Sequence, residues 1–265
     1  MPRIPVNGTD LYYEMHGSGI TLVFIHGHLA SHHVFTPQIE YFGKRVKVIA
    51  MDLRGSGQSG RMDVEIGHIV DTQCEDLRML LARLGEERIV LIGGATGGFI
   101  AQRYALLYPG QVQALVLVDG CFCNPMLKRG GKLWEVSEII RGLAAYLPAE
   151  LFLRFLRITY NRWVPAYKIL RQELLHKRPT ESIKQFLAIR QSGLFTDCIR
   201  LELPVLFVEG SRNEWHLKQM ENWLSCLPRA EVVVMDDALY PSQLCQPQIF
   251  NRVLLNFLID QRLVS

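Results

Sequence analysis

The sequence predicts an α/β fold, a mostly parallel, doubly wound sheet of eight strands with helices on both faces, and three observations support it. Six short apolar runs rich in β-branched residues alternate with longer segments of helical periodicity. Nearly continuous apolar runs of this length are typical of parallel strands that are buried on both faces. An N-terminal hairpin supplies two further strands, and one long helical stretch interrupts the alternation.

The elements follow in order along the chain. The segment "RIPVNGTDLYYEMHG" carries an Asn-Gly turn between two strand-like halves and predicts the hairpin. The helical segments "DTQCEDLRMLLARLG" and "GGFIAQRYALLYP" lie between strand-like runs. The six buried strands are predicted from runs that begin at Thr21, Val46, Arg88, Ala114, Pro204 and Glu231.

Residues 123–201 contain no strand pattern, only helical patterns such as "AELFLRFLRITYNRW". This stretch lies between two predicted strands, so we interpret it as an inserted helical cap, or lid. The core domain is then residues 1–122 and 202–265. Because ligands of open α/β sheets bind outside the carboxyl ends of the strands, a cap there is expected to cover the site.

Composition narrows the classes of function. The 265 residues carry 29 Lys and Arg against 26 Asp and Glu and contain no dense basic run, which argues against a nucleic-acid partner. The six cysteines form no CxxC pair and are interpreted as free thiols in a reducing compartment. No segment has the pattern of a signal peptide or the roughly 18 apolar residues of a membrane span. We therefore expect a cytoplasmic monomer or homodimer with no membrane partner.

Five motifs in fixed order resemble those of the α/β-hydrolase superfamily, along nearly the whole chain. "FIHGHLAS" resembles its His-Gly oxyanion loop, and "MDLRGSGQSG" resembles its Asp-x-x-Gly-x-Gly-x-Ser turn. "GGATGG" stands where Gly-x-nucleophile-x-Gly is expected. "LPVLFVEGSRN" resembles the acid-bearing turn, and "DDALYPSQLCQP" resembles the His-bearing loop. The resemblance implies a strained strand–helix turn that carries a nucleophile, a His base and an acid, with backbone N–H groups that bind an oxyanion.

All three catalytic positions that the resemblance implies are substituted. The nucleophile position is Ala95, the acid position is Asn213 and the His position is Tyr240. Alanine cannot form an acyl-enzyme, and a neutral amide cannot stabilise an imidazolium. Tyrosine, with an ordinary pKa of about 10, is a poor base at neutral pH. The sequence therefore predicts a divergent member with a degenerate triad rather than an ordinary serine hydrolase.

Other groups are weighed as replacements or ligand contacts. Thr96 follows Ala95 and is expected to supply a backbone N–H that binds an oxyanion rather than to act as a nucleophile. Cys245 is interpreted as a buried apolar residue. Asp119 is interpreted as a strand-end residue that accepts from backbone N–H groups. His32 is expected at the surface or in contact with the cap, and His216 at a surface position on a helix. The expected ligand contacts are His28, Leu29, Thr96, Asp119, Trp134 and Trp163. No His or Cys cluster indicates a metal, and no other cofactor is indicated.

Two functions of different classes remain open. The first is non-hydrolytic chemistry, of lyase, isomerase, cyclase or decarboxylase type, on a small apolar or aromatic molecule held by oxyanion-hole donors. The second is a non-catalytic pseudoenzyme that acts as a ligand sensor, carrier or protein partner. A residual esterase with a relocated nucleophile is the third alternative.

Overall fold

The computed structural model describes residues 3–120, 146–192, 201–214, 216–218 and 229–264. Its eight strands form a single sheet in the order β1-β2-β4-β3-β5-β6-β7-β8. The strands are β1 (Arg3–Val6), β2 (Thr9–His16), β3 (Thr21–Ile25), β4 (Lys47–Met51), β5 (Ile89–Gly94), β6 (Val112–Val118), β7 (Val205–Gly210) and β8 (Ala230–Met235). Strands β3 to β8 lie where the six apolar runs predict them. The burial predicted for β8 is wrong: this strand forms an edge of the sheet, and only Met235 of its residues is buried.

The N-terminal hairpin forms as its Asn-Gly turn predicts. Asn7 and Gly8 both have positive φ, at 47° and 74°, which is the backbone of a two-residue turn that matches strand twist. Strand β1 pairs antiparallel with β2, and β2 pairs antiparallel with β4. From β4 to β8 every neighbouring pair is parallel.

Eight helices are described between and after these strands. They are α1 (Thr36–Phe42), α2 (Ile69–Leu84), α3 (Thr96–Leu107), α4 (Ala149–Thr159), α5 (Val164–Leu175), α6 (Pro179–Gln191), α7 (Ser242–Cys245) and α8 (Pro247–Asp260). Among the residues that the structure describes, no helix is long and apolar enough to cross a bilayer.

The sheet separates two cores, because successive side chains of a strand point to opposite faces. On β3, Leu22 and Phe24 belong to the cluster that includes residues of α1 and α8. Val23 and Ile25 belong to the cluster that includes residues of α2 and α3. All four side chains are fully buried, which explains why the strand is read as an unbroken apolar run.

Helices α4, α5 and α6 lie in the chain between β6 and β7, inside the stretch from which a cap is predicted. Residues 121–145 and 193–200 lie outside the described residues, so the boundaries of that cap stay a prediction. Trp134, an expected ligand contact, also lies outside the described residues.

Candidate functional site

The turn between β5 and α3 has the strained backbone that the sequence resemblance predicts. Ala95 connects the two elements with φ 47° and ψ −117°, a combination that L-residues adopt at an energetic cost. Its N–H donates to the Val118 carbonyl at 2.8 Å, and its carbonyl accepts from Gly98 N–H at 2.9 Å. These bonds hold the turn between neighbouring strands and the first turn of α3.

Close packing explains the glycines around Ala95. A Cβ on Gly93 would lie 2.4 Å from the Cα of Gly98, and a Cβ on Gly97 would lie 2.2 Å from the Ile25 carbonyl oxygen. The turn therefore has no space for side chains at these positions. Since the first N–H groups of an α-helix have no intrahelical partner, the start of α3 at Thr96 presents donors beside Ala95.

The loop after β3 forms the wall of the site that faces the turn at Ala95. His26 is fully buried: it accepts the Leu53 N–H at Nε2, 3.0 Å away, and its Nδ1 donates to the Gly27 carbonyl at 2.8 Å. This ring is thus a structural brace, and burial lowers its pKa. Leu29, with φ 56°, reverses the chain so that the loop turns over the end of the sheet.

A cavity of about 280 Å³ lies between this loop, the end of β5 and the inserted helices. Gly27 is part of its wall, and a methyl group on Gly27 would lie 3.2 Å from both the Ala95 Cβ and the Tyr240 Oη. Ala95 and Tyr240, two of the three positions that the family resemblance implies, thus meet at one point of this wall. The cavity, named here the elbow cavity, is lined largely by apolar and aromatic side chains: Leu29, Val34, Phe152, Phe155, Leu156, Tyr160, Leu170, Leu174 and Pro241.

His28 also lines the elbow cavity. Burial and the charge of His26 lower its pKa to about 4, so the ring is neutral at pH 7. Its Nδ1 is buried and has no hydrogen-bond partner among the described residues. A neutral imidazole in this position can accept a proton or donate a hydrogen bond.

Two buried carboxyl groups surround Asn213. Its Nδ2 donates to Glu209 Oε1 at 2.6 Å and lies 3.5 Å from Asp119 Oδ1. Asp119 also accepts the Ser242 N–H at 2.5 Å, so this strand-end residue binds a backbone N–H as predicted. Burial and then the nearby charge of Glu209 raise the pKa of Asp119 well above its usual range. The amide at position 213 bridges two acids and does not orient a histidine.

His216 lies in a helical turn with 28% of its side chain exposed, and it also contacts a buried carboxylate. Its Nδ1 lies 3.2 Å from Glu209 Oε2, at the buried end of β7, and its ring lies beside Gly120.

The loop that carries Tyr240 is hydrogen-bonded to a residue of the inserted helical segment. The hydroxyl of Tyr160, which follows α4, donates to the Tyr240 carbonyl oxygen. Burial raises the pKa of Tyr160, which keeps the hydroxyl protonated as a donor. This bond joins the inserted helices to the loop that carries Tyr240.

Of the two alternatives predicted for His32, the surface position is wrong, because the side chain is buried. Its Nδ1 lies 2.7 Å from Asp52 Oδ1, and its Nε2 lies 3.4 Å from Glu14 Oε1. Burial opposes the charged ring, but the hydrogen bond to Asp52 and the two carboxylate charges outweigh it and raise the pKa of His32. The pair fixes the loop after β3 to the end of β4.

The remaining candidates lie around the elbow cavity rather than in it. Trp163, an expected ligand contact, is not among the described residues that line the cavity; it packs in the core 6.2 Å from the ring of Tyr160. Thr96 is partly exposed at the first position of α3. Cys245 is buried, and burial raises the pKa of its thiol to about 12, so it holds almost no thiolate at neutral pH.

Sequence reasoning missed Glu209 and Glu173. Glu209 interrupts an otherwise apolar strand, which is a detectable signal because isolated buried carboxylates are costly. Glu173 stands on a helical segment without any distinguishing pattern, and its contact with Ser31 arises from the packing of that helix against the loop after β3.

The elbow cavity combines a neutral imidazole, His28, and a phenol, Tyr240, with a mostly apolar lining. The methyl group of Ala95 lies beside Gly27 of its wall. Such groups can bind a carbonyl oxygen or an oxyanion and can transfer a proton.

Comparison with known proteins agrees with this fold. A family model described as alpha/beta hydrolase fold matches residues 20–133. Over 276 residues the chain is 28% identical to a protein of Azorhizobium caulinodans named putative carbamate hydrolase RutD, covering 98% of this chain and 100% of the relative. A thermophilic esterase from Thermogutta terrifontis superposes with a TM-score of 0.83 at 24% identity, covering 98% of this chain and 99% of the esterase. The enol-lactonase from Burkholderia xenovorans LB400 gives 0.80 at 18% identity, covering 97% and 100%.

The sheet order and the likeness to these structures show that the chain has the α/β-hydrolase fold. The likeness to the two solved structures supports the fold and carries no information about substrate.

Proposed function

We propose that this protein with an α/β-hydrolase fold binds a small, largely apolar molecule in the elbow cavity and acts on a carbonyl or similar oxygen without hydrolysis. The reaction class is lyase, isomerase, cyclase or decarboxylase. One observation carries the proposal: the strained turn at the cavity keeps its φ of 47°, but its tip is the methyl group of Ala95. The geometry that presents oxyanion donors is retained without a side chain that can attack.

The surrounding groups support chemistry without a covalent intermediate. The thiol of Cys245 has a pKa of about 12, which argues against a relocated nucleophile at that position. The side-chain N–H of Asn213 donates a hydrogen bond to Glu209. A neutral amide supplies no charge that could orient and activate a base. The neutral ring of His28 and the hydroxyl of Tyr240 are the groups we propose for proton transfer and for orienting the bound oxygen.

Hydrolysis is the second candidate, and the printed names of the relatives favour it: putative carbamate hydrolase, esterase and enol-lactonase. It would need either Thr96 as a nucleophile or a water molecule activated in the cavity. A non-catalytic sensor or carrier is the outcome if the cavity binds its ligand without turnover.

A matched pair of probes separates these functions. Phenyl acetate is an ester, whereas acetophenone has a similar shape and a carbonyl group but no hydrolysable bond. We expect saturable binding of acetophenone by calorimetry and no hydrolysis of phenyl acetate above the buffer rate. Hydrolysis that Thr96→Val or Cys245→Ala abolishes would instead establish an esterase.

Variants locate the binding. Leu170 lines the elbow cavity, so Leu170→Trp is expected to weaken acetophenone binding about tenfold or more by filling space. Leu107→Trp, at an exposed position at the end of α3, is the matched control and is expected to bind normally. Equal binding by both variants would contradict the proposed site.

Small molecules released from the purified native protein are identified by mass spectrometry. Turnover of such a ligand indicates an enzyme, and binding without product indicates a carrier.

A further inference from the structure

A second and larger cavity, of about 670 Å³, lies on the other side of helix α5. It is bounded by the loops that follow β3 and β4 and by the chain from α5 to the start of α6. We name it the outer cavity. None of the residues implied by the family resemblance at the triad positions lines it.

Basic side chains form one wall of the outer cavity. Lys168 and Arg171 stand one turn apart on α5, at i and i+3, so they share a face of the helix. Neither has a hydrogen bond or an ion pair with any described residue, although Arg171 is half-buried. A partly desolvated guanidinium without a counter-ion is costly, and an anion in the cavity would supply one.

Two further basic residues extend this wall and are held in place. Lys177 Nζ donates to the Leu147 carbonyl at 2.7 Å and lies 5.3 Å from the centre of the Phe152 ring. Arg178 donates to the Ser59 carbonyl at 2.8 Å and lies 3.9 Å from Glu181 Oε1, so it already has a counter-ion. The wall therefore carries four basic side chains, of which Lys168 and Arg171 have no ion pair with a described residue.

The two carboxyl groups that line the outer cavity accept hydrogen bonds from residues outside the basic wall. Asp52 is fully buried and accepts from the His32 ring, the His32 N–H and the Gln58 N–H at 2.7 to 2.8 Å. Glu173 accepts the Ser31 hydroxyl at 2.7 Å, and burial raises the pKa of Glu173. Neither group forms an ion pair with the basic wall among the described residues, so the cavity has a net positive lining.

The outer cavity and the elbow cavity share a wall made of Leu29, Ala30 and Glu173. Helix α5 divides them: Arg171 faces the outer cavity, whereas Leu170 and Leu174 face the elbow cavity. One molecule that reaches around this wall would meet cationic donors at one end and apolar side chains at the other.

We propose that the outer cavity binds the anionic group, a carboxylate or a phosphate, of an amphiphilic organic anion whose apolar part occupies the elbow cavity. The site for the anionic group is independent of any chemistry at Ala95, whereas the placement of the apolar part rests on the proposed function. Arg171 is the principal contact, because a guanidinium can bind two oxygens of either group at once.

The test uses four probes on the complete chain: methyl phosphate, hexyl phosphate, hexanoate and 1-hexanol, each titrated calorimetrically at low ionic strength. We expect hexyl phosphate and hexanoate to bind, and 1-hexanol, which lacks the charge, to bind at least about tenfold more weakly. Hexyl phosphate is expected to bind at least about tenfold more tightly than methyl phosphate, because its chain is buried.

Two pairs of variants assign the ends of the ligand. Arg171→Gln is expected to weaken hexyl phosphate about tenfold, whereas Arg252→Gln, which removes the same charge from an exposed position on α8, should leave its dissociation constant unchanged. Leu170→Trp is expected to remove the advantage of the hexyl chain and to leave methyl phosphate unaffected, with Leu107→Trp as control.

Each outcome decides one question. Equal binding of hexyl phosphate and 1-hexanol, or equal effects of Arg171→Gln and Arg252→Gln, would overturn the anion site. If Arg171→Gln weakens methyl phosphate but the hexyl chain adds no affinity, the ligand is an anion but not an amphiphile, and the proposal as stated fails. Failure of acetophenone to bind while methyl phosphate still depends on Arg171 would remove the proposed function and leave the anion site standing.

Discussion

Replacing Ala95 with glycine is expected to stabilise the protein, although most substitutions to glycine destabilise. The φ of 47° and ψ of −117° at Ala95 cost an L-residue about 1 to 3 kcal/mol, and glycine adopts them without a Cβ clash. Glycine gains about 0.5 to 1 kcal/mol of conformational entropy in the unfolded chain. A fully buried methyl group contributes about 0.8 kcal/mol, and loss of this half-buried one costs part of that value. The net expectation is a gain of about 1 kcal/mol in the free energy of unfolding.

Urea unfolding followed by circular dichroism measures this change. Ala101→Gly is the matched control, because Ala101 is fully buried inside the regular part of α3. Lost helix propensity and lost burial should together cost that variant about 2 kcal/mol. If Ala95→Gly destabilised the protein as much as Ala101→Gly, the turn would not be strained and the reasoning would be refuted. A stabilised variant that lost acetophenone binding would further link the methyl group to the cavity.

Three further outcomes follow from the described contacts. Gly97→Ala should lower the free energy of unfolding by more than about 3 kcal/mol, because its Cβ would lie 2.2 Å from a backbone oxygen; Gly110→Ala, with nothing within 4 Å, is the control. His32→Gln should lower the free energy of unfolding by about 3 kcal/mol below pH ~6.5. This difference from the unmodified protein should shrink as the pH rises through the raised pKa of His32, because the ring stabilises the fold only while it is protonated. Unfolding measured from pH 5 to about 9 tests this, and a gap that widens with pH would contradict it. Cys245 should resist iodoacetamide in the native protein at pH about 8 and react after unfolding, because burial raises its thiol pKa to about 12; rapid native labelling in peptide mass maps would count against this assignment.

The sequence predicts strands and the turn well because those signals are local. Unbroken apolar runs such as "TLVFI" mark strands buried on both faces, and glycines around Ala95 mark a turn without space for side chains. The Asn-Gly hairpin is likewise specified by the φ values that these two residues tolerate.

Burial of polar residues was predicted poorly because it depends on partners far along the chain. His32 is buried beside Glu14, on β2, and beside Asp52, which follows β4. No spacing within a helix or loop encodes such pairs, since parallel strands bring together residues that are distant in sequence.

The sequence by itself determined which side chains stand at Ala95, Asn213 and Tyr240, and their correspondence to the catalytic positions of the resembled family stays a prediction. Only the tertiary structure decided what surrounds them. It places Asn213 between Glu209 and Asp119 and brings α5 between two cavities of different character. The physical reason is that the charge and polarity of a cavity depend on which distant segments pack together, and these are selected by burial over the whole chain rather than by any local pattern.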